Sequence, residues 1–266
     1  MATALFRYMM SPKVYELKDV AAQIGALPVL GYLPLLDQAD KSTPADWPVL
    51  QEEAVREIRT ALMPKLLSSK NLVLQITSSS AEAGKTFFSL MLARSFAASG
   101  KRVLLVDADL RRSSLSQRLA CDDSVGLSDL LGNSELQHSA VRRALSPGLD
   151  LIPAGAVRNR MASELLANGM LSSRITNWRQ AYDVILIDSS PILATADGSM
   201  LAQQVDSSIV LIREGHCNRN IVGEALTQIE VVGGQSLGIV LVGPRPPRTY
   251  YYGRDYIDAV AEPIAG

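Results

Sequence analysis

The chain has 266 residues, 47% of them hydrophobic and 20% charged, with a formal net charge of −1 at pH 7. That length suits one α/β domain with a short extension, or at most two small domains, and the balanced charge gives no sign of a nucleic-acid partner, which usually needs a strongly basic face. No apolar run approaches the ~18 residues of a membrane span or a signal-peptide core, and Cys121 and Cys217 form neither a disulfide framework nor a metal spacing, so a reducing, cytoplasmic setting is expected.

In chain order, residues 1–50 hold Leu27-Pro28-Val29-Leu30-Gly31 and Leu33-Pro34-Leu35-Leu36, then a polar stretch with Pro44 and Pro48, and are read as a linker. Residues 51–67 form an amphipathic helix with Val55, Ile58, Leu62 and Leu66 on one face, which Pro64 is expected to kink or shorten. Five nearly unbroken apolar runs, at 72–76, 103–106, 184–187, 209–212 and 239–242, read as strands covered on both faces. A further strand is expected at 149–152. Helical stretches at 85–98, 162–181, 196–204 and 218–232 alternate with the strands. The pattern predicts βαβ units: an α/β fold with a doubly wound, mainly parallel sheet and helices on both faces. The expected divisions are a linker at 1–50, a nucleotide domain at 51–243 and a tyrosine-rich mobile tail at 244–266.

Between the first strand and the first long helix lies Ser79-Ser80-Ala81-Glu82-Ala83-Gly84-Lys85-Thr86. Backbone N–H groups of such a loop and of the helix N-terminus point at β- and γ-phosphates, Lys85 adds a mobile positive charge, and the Thr86 hydroxyl can ligate Mg²⁺. Ser80, Ala81, Glu82, Ala83, Gly84, Lys85, Thr86 and Phe87 are therefore the candidate phosphate-binding residues. Two strands deliver acids at their carboxyl ends: Asp107-Ala108-Asp109-Leu110-Arg111 and Asp188-Ser189-Ser190-Pro191. Ligands of open parallel sheets bind beyond those ends, so Thr86, Asp107, Asp109 and Asp188 can converge on one Mg²⁺. Two acids on one strand exceed the needs of simple hydrolysis; one can orient metal while the other takes a proton from an attacking hydroxyl. The plainer alternative has Asp109 capping a short helix at 113–119 or pairing with Arg111 or Arg112. His138 and His216 are isolated in sequence and carry no expected role.

Gly84-Lys85-Thr86, Asp107-x-Asp109-x-Arg111 and Asp188-Ser189, each acid after an apolar run, resemble the Walker A, A′ and B motifs of bacterial tyrosine kinases. These are the autokinases of capsule and exopolysaccharide systems, built on the deviant Walker P-loop fold shared with septum-positioning and partition ATPases. Val125-Gly126-Leu127-Ser128-Asp129-Leu130-Leu131-Gly132, Ser163-Glu164-Leu165-Leu166 and Tyr182-Asp183-Val184-Ile185 are similar to the same family. The resemblance implies ATP and Mg²⁺ as cofactors and a catalytic set of Lys85, Asp107, Asp109 and Asp188. Asp107 would be the base, Asp109 a metal-organising acid and Asp188 the Walker B acid. Glu53-x-x-Arg56-x-x-Arg59 matches a motif that builds a homo-oligomeric ring, with an octamer the expected size. Tyr250, Tyr251, Tyr252 and Tyr256 would be the autophosphorylated tail, modified in trans within the ring. A membrane polysaccharide co-polymerase or activator region, in cis or trans, and a cognate tyrosine phosphatase would be partners at the inner face of the membrane, and regulation of polymer assembly and export the output.

The sequence also departs from the family. Ala81-Glu82-Ala83 replaces Pro-Gly-Glu, Val242-Gly243 stands where related ATPases carry an adenine-reading Asn, and Asp188-Ser189-Ser190-Pro191 replaces acid-Thr-Pro-Pro. The alternatives are a nucleotide-switch ATPase of the septum or partition type, whose second lysine is Ser80 here, and an ATP-holding pseudokinase scaffold.

Overall fold

A computed structural model of the chain describes residues 13–14, 19–34, 47–121, 125–133, 136, 140–155 and 162–243. The tail tyrosines Tyr250, Tyr251, Tyr252 and Tyr256 and His138 lie outside these described residues. The elements are α1 (Ala21–Ile24), β1 (Val29–Pro34), α2 (Trp47–Ser68), β2 (Leu72–Ser78), α3 (Lys85–Ala98), β3 (Val103–Asp107), α4 (Ser114–Arg118) and α5 (Leu127–Gly132). There follow β4 (Arg142–Ser146), β5 (Leu149–Ile152), α6 (Ala162–Ala167), α7 (Met170–Ala181), β6 (Val184–Asp188), α8 (Ala196–Ala202), β7 (Ser207–Arg213), α9 (Arg219–Val231) and β8 (Ser236–Gly243). They build one sheet in the order β1-β8-β7-β2-β6-β3-β5-β4, parallel except for the β4–β5 edge. The expected doubly wound architecture is what forms.

Leu72, Leu74 and Ile76 of β2 face the α2–α3 layer while Val73 faces the other. Both layers are apolar, which is why the five central runs carry almost no polar residues. Val55, Ile58, Leu62 and Leu66 of α2 are all buried in that first layer, each worth about 1.5–3 kcal/mol of transfer free energy. Pro64 does not end the helix. It lies on the exposed side of the helix, as does Thr60, whose carbonyl it leaves without an N–H.

Two expectations need correction. Residues 29–34, read as linker, form the edge strand β1, with Leu33 opposite Val242 and Pro34 opposite Gly243 of β8. The flanking prolines suggested irregular chain, but an edge strand tolerates them. Gly31 is required there, because a Cβ would stand 2.5 Å from Ile58 Cγ1 of α2. The helix expected over 162–181 is two helices. Gly169 turns left-handed at φ 77° and the Asn168 side chain accepts from the Met170 amide at 2.9 Å, starting α7 afresh. Among the described residues no helix is long and apolar enough to cross a membrane.

Candidate active site

The sheet order places the loop-bearing strand beside both acid-bearing strands: β2 neighbours β6, and β6 neighbours β3. Register finishes the alignment, setting Asp188 beside Ile76 on one side and beside Asp107 on the other. The phosphate loop therefore emerges directly above the two carboxylates. Gly84, left-handed at φ 86°, turns the chain into α3, whose first-turn N–H groups have no partner within the helix. Ala83 is buried in the core, Ala81 and Glu82 are exposed, and Ser80 Oγ is buried without a partner. The Phe87 side chain packs against the core beneath the Arg118 guanidinium, so only its backbone can meet a phosphate.

Asp188 is held by the helix that carries the loop. Thr86 Oγ1 donates to its Oδ2 at 2.8 Å and Ser89 Oγ to its Oδ1 at 3.0 Å. Residues three apart share a helix face, so Ser89 was findable from Thr86 by spacing alone. Asp107 Oδ2 accepts from Ser116 N at 2.8 Å and Ser116 Oγ at 2.6 Å, whereas its Oδ1 is buried without a hydrogen bond. Burial, then the neighbouring Asp188, pushes Asp107 up to about 7. Burial likewise pushes Asp188 up to about 6 against the pull of Thr86 and Lys85. Burial draws the Lys85 ammonium below its ordinary value, opposed by Asp188 and then Asp109.

Asp109 is buried at the mouth of the same site, and its Oδ1 accepts from the Arg112 amide at 3.2 Å. The short helix is capped by Asp107 instead, through the Ser116 amide. Arg111 does not pair with Asp109. Its Nε reaches Asp197 Oδ2 of α8 at 2.7 Å and its Nη2 reaches Ser163 Oγ at 2.8 Å. The Walker B loop is tied down from beneath: Gln75 Nε2 donates to Ser189 Oγ at 3.0 Å and Gly198 O at 2.8 Å, and Thr77 Oγ1 to Ser190 O at 2.9 Å. These anchors carried no sequence signal, because nothing in an apolar strand announces which loop a lone Gln will meet.

Glu82 adopts φ 59°, a conformation that glycine takes without cost. Its carbonyl accepts from Arg213 Nη1, which fixes the turn to the end of β7. Glu82→Gly is expected to tighten nucleotide binding about three- to tenfold, by easing a strained turn and removing an exposed anion near bound phosphates. Titration with a fluorescent ATP analogue measures it; weaker binding would overturn the expectation.

Of the interface trio, Glu53 and Arg56 pair with each other on the exposed side of α2. Arg59 turns inward and donates to Ser95 O at 2.6 Å and Ser95 Oγ at 3.2 Å near the end of α3. The two cysteines are buried and are not joined in a disulfide.

The loop and the Thr86–Asp188 pair fit a Mg²⁺–nucleotide, but among the described residues no three acids are placed to hold a metal ion by themselves, so the expected convergence of Asp107, Asp109 and Asp188 on one ion is not what the side chains show. A left-handed Gly84 opens the loop, Thr86 already touches Asp188, and Asp107 Oδ1 and Ser80 Oγ are polar atoms in want of a partner. The model of the AAA domain family matches residues 73–234. The putative tyrosine-protein kinase EpsB of Ralstonia nicotianae is 35% identical over 201 residues, 76% of this chain and 26% of that protein. The chain thus spans about a quarter of the length of the curated relatives it matches. The kinase domain of Escherichia coli tyrosine kinase ETK has a TM-score of 0.78 at 27% identity, covering 88% of this chain and 97% of that one. The BceF tyrosine kinase domain has a TM-score of 0.75 at 30% identity, over 88% and 100%.

Proposed function

This chain belongs to the AAA domain family and, within it, to the bacterial tyrosine kinases, and on that premise we propose that it is an ATP- and Mg²⁺-dependent protein-tyrosine autokinase. The observation that carries the reading is the in-register pair of buried carboxylates, one held by Thr86 and the other presenting an unpartnered oxygen. The amides of residues 84–87 and the Lys85 ammonium bind and orient the β- and γ-phosphates. Mg²⁺ held by Thr86 and Asp188, with Asp107 and Asp109 within the same mouth, would neutralise charge on those phosphates. Asp107 accepts the proton of the incoming tyrosine hydroxyl as its oxygen bonds the γ-phosphorus and the bond to the bridging oxygen of ADP breaks. Burial opposes the charged form of Asp107 and so makes it a better proton acceptor than an exposed carboxylate.

Tyr250, Tyr251, Tyr252 and Tyr256 are the acceptors, presented by a neighbouring copy in a ring that uses the exposed Glu53–Arg56 pair. Arg59 steadies α2 against α3 from within the subunit. Each added phosphate brings about −1.5 to −2 charge and so favours release from the acidic site. A polysaccharide co-polymerase at the membrane and a tyrosine phosphatase complete the cycle, and polymer assembly is what the cycle regulates.

Purified protein with Mg²⁺ and ATP, analysed by mass spectrometry, tests this. Phosphotyrosine is expected in the 250–256 segment, and none in Lys85→Met or with all four tyrosines changed to Phe. Free phosphate without phosphotyrosine would replace the kinase with a nucleotide switch, and neither product with a scaffold.

A further inference from the structure

The Asp107 carboxylate is gripped from one side only. Ser116 supplies both donors to Oδ2, from its amide and its hydroxyl, and Oδ1 receives none. The amide bond is an ordinary helix cap for α4; the hydroxyl bond is not needed for that. Ser116 Oγ also accepts from the Ala154 amide at 2.8 Å. A hydroxyl has a single proton to give, and with Ala154 N–H filling an acceptor position that proton is directed onto Oδ2. Ser116 and Asp107 are both 0% exposed, so no water competes for the bond.

The Ala154 amide is itself fixed. Leu127 N donates to Pro153 O at 2.7 Å and Ser128 N to Ala154 O at 2.9 Å, seating α5 on the loop after β5. Gly126 permits that seating, since a Cβ there would stand 2.3 Å from Pro153 O. The terminal torsion of an aspartate is soft and roughly two-fold. Without the clamp the carboxylate would swing, and its open oxygen with it.

We propose that Ser116 is a positioning residue for the transfer reaction: its hydroxyl, aimed by the Ala154 amide, pins Oδ2 of Asp107 and so fixes the rotation of the carboxylate, leaving Oδ1 as the one oxygen free to take a proton. The proposal rests on the kinase function above. It assigns Ser116 no contact with nucleotide or tyrosine.

Ser116→Ala keeps the amide cap and removes only the hydroxyl. At saturating Mg²⁺–ATP its kcat for phosphotyrosine formation should fall about 10- to 100-fold, the scale of a small misplacement of a reacting group. KM for ATP and the Kd of a fluorescent ATP analogue should stay within about twofold, and Ser116→Thr should recover most of the rate. Because Thr could be refused by so tight a site, a second reading uses the Asp107→Asn background. There, Ser116→Ala should cost less than about twofold of the residual rate, since the group it orients is gone. Unchanged kcat in an active parent, a matching rise in Kd, or an equal loss in the Asp107→Asn background would overturn the positioning role alone. A parent that forms no phosphotyrosine would overturn the function and this role together.

Discussion

Asp107→Asn is expected to raise the melting temperature of the metal-free protein at pH 8 by about 5–10 °C while slowing phosphotyrosine formation about 10²- to 10⁴-fold. The cause is a carboxyl with a folded-state value of about 7 against an ordinary 3.8. The native state binds that proton more tightly than the unfolded chain does. Its stabilising contribution is complete below pH ~4, declines as pH rises, and is gone above ~7. A difference of that size corresponds to about 4 kcal/mol, and local relaxation should bring the measured gap to about 2–3 kcal/mol. Asn carries no charge at any of these pH values. Its Oδ1 can still accept from Ser116, and the charge that burial and the neighbouring Asp188 both oppose is gone. The parent and variant should therefore melt alike near pH 4 and separate between pH 4 and 7. Scanning calorimetry in chelator across that range decides it. A variant no more stable than the parent at pH 8 would mean that Asp107 carries no strain of this kind.

The same residue shows what a sequence can disclose. Asp107 and Asp188 were legible because a parallel sheet collects the carboxyl ends of its strands at one edge, and an acid after four apolar residues marks such an end. The phosphate loop was legible for the same reason, being a strand-to-helix junction with a small vocabulary of residues. Strand β1 was not, because Pro28, Gly31 and Pro34 are read locally as breakers, and only pairing with β8 reveals them as compatible with an edge. Ser116 and Gln75 were invisible on other grounds. A buried serine or glutamine acquires meaning from the partner it meets, and those partners lie 9 and 114 or more positions away. Local pattern carries hydrophobic periodicity and turn chemistry; it does not carry which polar side chain will answer which. The serines of Ser189-Ser190, a departure from the family pattern, become intelligible only through their partners: the Ser189 hydroxyl accepts from Gln75 and the Ser190 hydroxyl pairs with that of Thr195.

Arg111→Ala should be the most destabilising change in the acidic loops, lowering stability by about 2 kcal/mol and the melting temperature by about 4–8 °C. Asp197 is 2% exposed in its side chain whereas Arg111 is 38% exposed, and that asymmetry sets the direction. Removing the arginine leaves a carboxylate buried with Ser163 as its remaining donor, and an unpaired buried charge is the costly outcome. The figure is held below the ~3–5 kcal/mol of a fully buried pair because the guanidinium is partly in water. Asp197→Asn removes the charge and frees an arginine that can turn to solvent, so it should cost about 1 kcal/mol or less. The double variant Arg111→Ala with Asp197→Asn should then be more stable than Arg111→Ala alone. Arg111 follows Asp107 by four residues and Asp197 follows Asp188 by nine, so this bond ties together the segments that leave the two acid-bearing strands. Transfer should fall about tenfold in Arg111→Ala even at a temperature where the protein is fully folded. Thermal melts of the three variants beside the parent test the order. If Asp197→Asn were the more damaging single change, the buried carboxylate would be stabilised by something other than Arg111.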